Sequence, residues 1–237
     1  MLVAASICPH PPLLLPGVSA RQPGWLAELR EVCVASVRRL GASGAEHIVA
    51  VGGAERAGHW GGSAGGDLRA FGVDAAAGGS DPVLPLALTV AAFLLDEAGW
   101  AGSRHYVAAA RGGSPKDCAA LGSRLVDRPD ASALLVMGDG SAKRSTTAPG
   151  YLDGRAEPFD ETILAALSAP SLDMLLSIDT TLADELWVAG REAWQVLAGA
   201  ASGPDNWTPP ITTWVRYHAA PLGVGYAVID WTVEFGR

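Results

Sequence analysis

Apolar positions along the first two-thirds of the chain follow two alternating rhythms, short unbroken runs and longer stretches in which they recur every three or four residues. Unbroken runs bounded by turn residues read as buried strands, and the three-to-four spacing reads as helix. "LVAASIC" (2–8) is the first strand, ended by a Pro-His-Pro-Pro turn. Leu26, Leu29, Cys33, Val37 and Leu40 share one face of a helix that Gly41 should stop, and "HIVAV" (47–51) is the second strand. Residues 52–66, "GGAERAGHWGGSAGG", read as a mobile glycine-rich loop, followed by an edge strand near 67–73. Asp81 and Pro82 then signal the start of a helix through about Ala98.

The pattern continues with a strand at 105–110, a helix opened by Ser114-Pro115 with Cys118, Leu121 and Leu125 inward, and a strand within 131–140 that ends at Gly138-Asp139-Gly140. Helices are expected near 157–168 and 181–199, the second with Leu182, Leu186, Ala189, Ala193 and Leu197 in register. Two closing strands, "ITTWVRYH" and "GYAVIDWTVEF", are joined by "AAPLGVG" as a hairpin or tight crossover. The expected fold is α/β over residues 1–237 as a single domain. It has a mixed, mostly parallel sheet with helices on both faces and an antiparallel C-terminal strand pair. Ligands in such sheets collect beyond the carboxyl ends of strands, where His10, the loop after Val51 and Asp139 all fall.

Composition narrows the partners. A net charge of −8 and a charged fraction of 18% lack the basic stripe that nucleic acid needs, and give no reason to expect an anionic membrane surface. Cys8, Cys33 and Cys118 are odd in number, far apart in sequence and in no C-x-x-C spacing, which suggests neither a disulfide framework nor a zinc ribbon and fits the cytoplasm. The apolar start lacks a basic n-region and is broken by prolines 9, 11, 12 and 16, so it reads as mature structure and not as a signal peptide. No apolar run reaches the roughly 18 residues of a membrane span.

Three stretches carry a resemblance: "ICPHPPLLLPGV" (7–18), "VMGDGSAKRSTTAPGYLDGRAEPFDETI" from Val136, and "APLGVGY" near the end. Together they resemble the class III extradiol ring-cleavage dioxygenases of the beta-subunit type, a superfamily that includes protocatechuate 4,5-dioxygenase and the Memo-like proteins. The resemblance implies non-haem Fe(II) held by two histidines and a glutamate, with a further histidine as acid/base in opening a catecholic ring. His10 matches the first ligand. Gly52-Gly53 stands where the second histidine belongs, Ala142 where the acid/base histidine belongs, and Val188 aligns with the glutamate, with Glu185 and Glu192 as near alternatives.

With those donors replaced, the resemblance implies Fe(II) bound weakly or not at all. The candidate catalytic residues are His10 and Asp139, and the candidate metal ligands are His10 and His59, the latter reaching back from the glycine-rich loop, with Glu55 beside it. Each has a plainer alternative: a ring satisfied within a Pro-rich turn for His10, a solvated loop histidine for His59, and an Asx turn for Asp139. His47, His105 and His218 read as structural. Lys143, Arg144 and Arg155 could attract an anionic aromatic substrate. Ser141 lacks the nucleophile-elbow context.

Trp187, Trp194, Trp207, Trp214 and Trp231 could wall a ring-binding pocket or favour a homodimer. Asn206-Trp207-Thr208 matches a glycosylation sequon that has no meaning in a cytoplasmic chain. The functional expectation is a superfamily member that binds a small aromatic molecule or a protein partner. The alternative is an active metal-dependent dioxygenase or other enzyme with a site rebuilt from His10, His59, Asp139 or a late glutamate.

Overall fold

The computed structural model describes residues 1–19, 23–203 and 209–234. The Asn206-Trp207-Thr208 sequon, and with it Trp207, lies outside the described residues. A seven-stranded mixed sheet forms the centre. Its four parallel strands are β1 (Leu2–Cys8), β2 (His47–Ala54), β7 (Ser103–Ala110) and β8 (Ser132–Met137), and the full order is β3-β7-β2-β8-β1-β10-β9. Short β3 (Gly58–Trp60) closes one edge antiparallel to β7. The C-terminal hairpin of β9 (Ile211–Ala219) and β10 (Tyr226–Val233) closes the other, antiparallel to β1.

The central strands are mostly apolar because both faces are covered. On β1, Ile7 packs with helices α3 (Pro115–Val126), α4 (Ala156–Ser168), α5 (Leu172–Leu176) and α7 (Arg191–Ala201), whereas Cys8 faces α1 (Gly24–Gly41) and α2 (Leu86–Glu97). Helices α3 and α7 approach closely at Gly122 and Gly199. A Cβ on Gly122 would lie 1.9 Å from the Val196 carbonyl oxygen, and one on Gly199 2.1 Å from that of Ala119. Ser114 caps α3 as its sequence signalled, its Oγ accepting the Asp117 N–H at 3.1 Å. No helix among the described residues is long and apolar enough to cross a membrane.

Four local expectations are corrected. Residues 52–66 are not a loop throughout: β2 runs on to Ala54, and β3 and β4 (Ala64–Asp67) follow, with β4 in a small sheet between β5 (Ala76–Gly78) and β6 (Asp81–Pro82). Here glycine serves close packing, since a Cβ on Gly66 would sit 1.9 Å from Thr89 Oγ1. Helix α2 starts at Leu86, after Asp81-Pro82, because Pro85 keeps the residue before it out of helical conformation. Helix α1 continues through Gly41, and the left-handed turn falls at Gly44. The helix expected at 181–199 is two, α6 (Thr180–Glu185) and α7, with Trp187 in a left-handed conformation at φ 58° between them.

Candidate functional site

Strands β1 and β8 are paired in register, Cys8 opposite Met137, so the residues just past their carboxyl ends emerge side by side. That register brings His10 and Asp139 together. The His10 backbone N–H donates to Asp139 Oδ1 at 2.7 Å, and the imidazole Nδ1 lies 3.6 Å from the same oxygen. His10 is 8% exposed, and its Nδ1 has no hydrogen-bond partner among the described residues. The turn that carries it is held firmly. Prolines restrict the backbone, a 3-10 turn forms at Pro12–Leu14, and the Arg30 guanidinium donates to the Leu14 carbonyl at 2.8 Å and the Leu13 carbonyl at 3.3 Å. Burial pushes the Asp139 carboxyl above its ordinary range, and the His10 charge and N–H only partly offset that.

The facing wall comes from β2 and α7. Gly53 follows directly on the β2–β8 pairing, and a Cβ there would point to within 3.7 Å of the Ala189 carbonyl oxygen and 3.8 Å of Glu192 Oε2. Glu192 sits in the first turn of α7, where a carboxylate complements the helix dipole. Its Oε1 accepts the Gly112 N–H at 3.0 Å and Arg191 Nη2 at 2.8 Å. Arg191, 1% exposed, reaches on to the Gly113 carbonyl and to Gln195 Oε1, both at 3.0 Å. The adjacent Arg-Glu pair therefore clamps the loop between β7 and α3 against α7.

Between these walls lies an open cleft of about 1020 Å³ whose lining includes His10, Gly53, Arg111, Asp139, Val188 and Glu192. It sits outside the carboxyl ends of β1, β2, β7 and β8, the position in which open α/β sheets hold ligands.

The structure brings His10 and Asp139 together and places His59 elsewhere. His59 belongs to edge strand β3 opposite Val107, and it lines a separate depression with His105, Arg124 and Arg128. Glu55 does line the cleft, with its carboxylate 4.0 Å from Arg111. The Fe(II) triad implied by the sequence resemblance does not fit these residues. Among the described residues no three His, Cys, Asp or Glu side chains are grouped to hold a metal, and the carboxylate facing Gly53 is already engaged by a guanidinium. Of the late acids weighed in the sequence, Glu192 lines the cleft alongside Val188, whereas Glu185 is drawn away to Arg155 at 2.7 Å.

Of the three basic residues near the Gly-Asp stretch, Arg144 pairs with Glu157 and lies 3.9 Å from Asp160, while Arg155 pairs with Asp153. Lys143 stands apart, its Nζ 5.4 Å from the centre of the Trp187 ring. Ser141 is fully buried and donates to Asp160 at 2.8 Å, away from the cleft lining. Trp194 and Trp231 belong to the core, Trp214 is exposed on β9, and Trp187 lines a hollow that shares Arg111, Asp184 and Val188 with the cleft. The role of Arg191 is not announced by any motif. Its only sequence signal is an Arg-Glu pair directly after a helix-opening glycine, Gly190.

No protein-family model and no curated protein matches the sequence. The chain is similar in structure to a protein described as "uncharacterized protein JW3007 from Escherichia coli K12", with a TM-score of 0.55 and 14% sequence identity over 97% of this chain and 99% of that one. At that identity the likeness speaks for the fold alone, and it spans nearly the whole of both chains.

Proposed function

We propose that this chain is a small-molecule-binding protein on an extradiol-dioxygenase-like frame, which takes a small aromatic ligand in the His10–Asp139 cleft without the three-donor Fe(II) site of the enzymes it resembles. The observation that carries this reading is the wall opposite His10. There the end of β2 offers Gly53, with room for a side chain but no donor atom, and the nearest carboxylate is neutralised by Arg191. The opposite wall supports binding: a buried imidazole nitrogen without a partner among the described residues and a carboxyl group with raised proton affinity can share hydrogen bonds with a ligand hydroxyl.

Metal analysis of protein purified without chelator, combined with calorimetric titration of 4-hydroxybenzoate, tests this. The expected result is far less than one iron per chain and binding that weakens about tenfold in His10→Ala, the loss of roughly one charge-assisted hydrogen bond. One iron per chain that disappears in His10→Ala, with oxygen uptake on catechol, would overturn it. That outcome would establish the second reading, a metal-dependent enzyme with a rebuilt site.

A further inference from the structure

Helix α6 ends in a Schellman motif, in which the Val188 N–H reaches the Ala183 carbonyl at 2.9 Å and the Trp187 N–H reaches that of Asp184 at 3.1 Å. The left-handed residue of such a motif is usually glycine, because a Cβ there meets the following carbonyl. Here it is Trp187, at φ 58°. A chain with 29 glycines has placed its bulkiest residue type where the backbone least tolerates one. The strain is not repaid in the core, since Trp187 is 55% exposed. Strain of this kind collects at ligand sites.

The indole has a definite setting. With Arg111, Ala142, Asp184 and Val188 it lines a hollow of about 290 Å³, and Arg111, Asp184 and Val188 also line the main cleft, so the two spaces share a wall. The Lys143 ammonium over the ring and the Arg111 guanidinium bring two cations to this end, where Asp184 lines the hollow and Glu55 lies 4.0 Å from Arg111. Tyr151 and Leu222 are the other non-glycine residues in left-handed conformation among the described residues, and both are well exposed. Their loops are tied to the segment that follows Asp139: the Gly150 N–H donates to Ala142, the Arg144 N–H to Gly223 and the Ala142 N–H to Leu186.

We infer that Trp187 and its hollow form an outer subsite of the cleft, which stacks the second ring of an extended aromatic ligand carrying an anionic group. This rests on the small-aromatic reading proposed above and narrows it to ligands longer than one ring. The phenolic end sits toward His10 and Asp139, the second ring lies against the indole, and the anion faces Lys143 and Arg111.

The test is calorimetric titration of 4-hydroxybenzoate and 6-hydroxy-2-naphthoate into the wild type, Trp187→Ala and Trp187→Gly. The naphthoate should bind the wild type more tightly than the benzoate does. Both variants should weaken the naphthoate about tenfold and the benzoate less than about twofold. Trp187→Gly, which keeps the left-handed turn without strain, should melt about 2–4 °C above Trp187→Ala. Naphthoate affinity equal in all three proteins, with the benzoate still binding, would remove the outer subsite and leave the cleft reading standing. Failure of both ligands to bind the wild type would remove the small-aromatic reading and the subsite with it.

Discussion

Two largely buried aspartates lie on either side of β1 and are treated in opposite ways. Asp230, on β10 and 7% exposed, is surrounded: Ser36 donates to one oxygen and Ser6 reaches it at 3.3 Å, while Arg39 and Arg216 each donate to the other at 2.8 Å. Burial pushes its carboxyl up, but these donors outweigh that and hold it below the ordinary range. Asp139, just past the end of β8, has one backbone N–H and an imidazole just beyond hydrogen-bond range, so burial wins and its carboxyl is raised. The first arrangement welds α1, β1, β9 and β10 together. The second leaves acceptor capacity unused at the edge of a cleft, as a ligand-binding group requires.

The comparison breaks most readily at Asp230. Replacing it with Ala strands two guanidiniums and two hydroxyls, and urea unfolding should show a loss of about 2–4 kcal/mol, toward the low end because Arg39 and Arg216 are partly solvated. If Asp230→Ala costs under about 1 kcal/mol, the cluster does not bind the sheet edge to α1. Ser36→Ala, which removes one buried donor and leaves both arginines in place, should cost about 1 kcal/mol in the same measurement.

How much of this is legible follows from what each residue's neighbours in sequence reveal. Strands β1, β2, β7 and β8 are each dominated by an apolar run, and the hairpin of β9 and β10 turns around a Pro-Leu-Gly segment, so both the sheet and the exit points of His10 and Asp139 can be read directly. The glycine-rich stretch misleads because glycine at residue 66 signals flexibility in sequence but in space allows a strand to lie against Thr89. The break at Trp187 is hidden because Leu182, Leu186, Ala189, Ala193 and Leu197 keep helical spacing straight across it. That hidden break also blurs the late register, so alignment by pattern picks Val188 over Glu192 although both face the cleft. The Asp230 cluster joins residues 6, 36, 39, 216 and 230, a set no local pattern connects.

The smallest effect is the one that separates the two aspartates by sign. Asp139 has its carboxyl raised from an ordinary value of 3.8, so the folded chain holds that proton more tightly than the unfolded chain does. Its contribution to stability is therefore greatest below 3.8, falls as pH rises through the raised folded value, and is flat above it. For Asp230, lowered from 3.8, the contribution is present above that value and lost as pH falls through the depressed one. Asp139→Asn keeps an acceptor for the His10 N–H and abolishes the titration. Relative to the wild type it should therefore gain stability as pH climbs from about 4 toward about 7, by no more than about 1 kcal/mol. Asp230→Asn should instead run nearly parallel to the wild type over that climb and gain on it only as pH falls below 3.8, where the wild type loses the contribution of its depressed carboxylate. Urea midpoints of both variants from about pH 3 to about pH 7 test the contrast: an Asp139→Asn curve that stays parallel to the wild type above about pH 4 would mean that this carboxylate is as well satisfied as Asp230, and the cleft would lose the feature that marks it as a binding site.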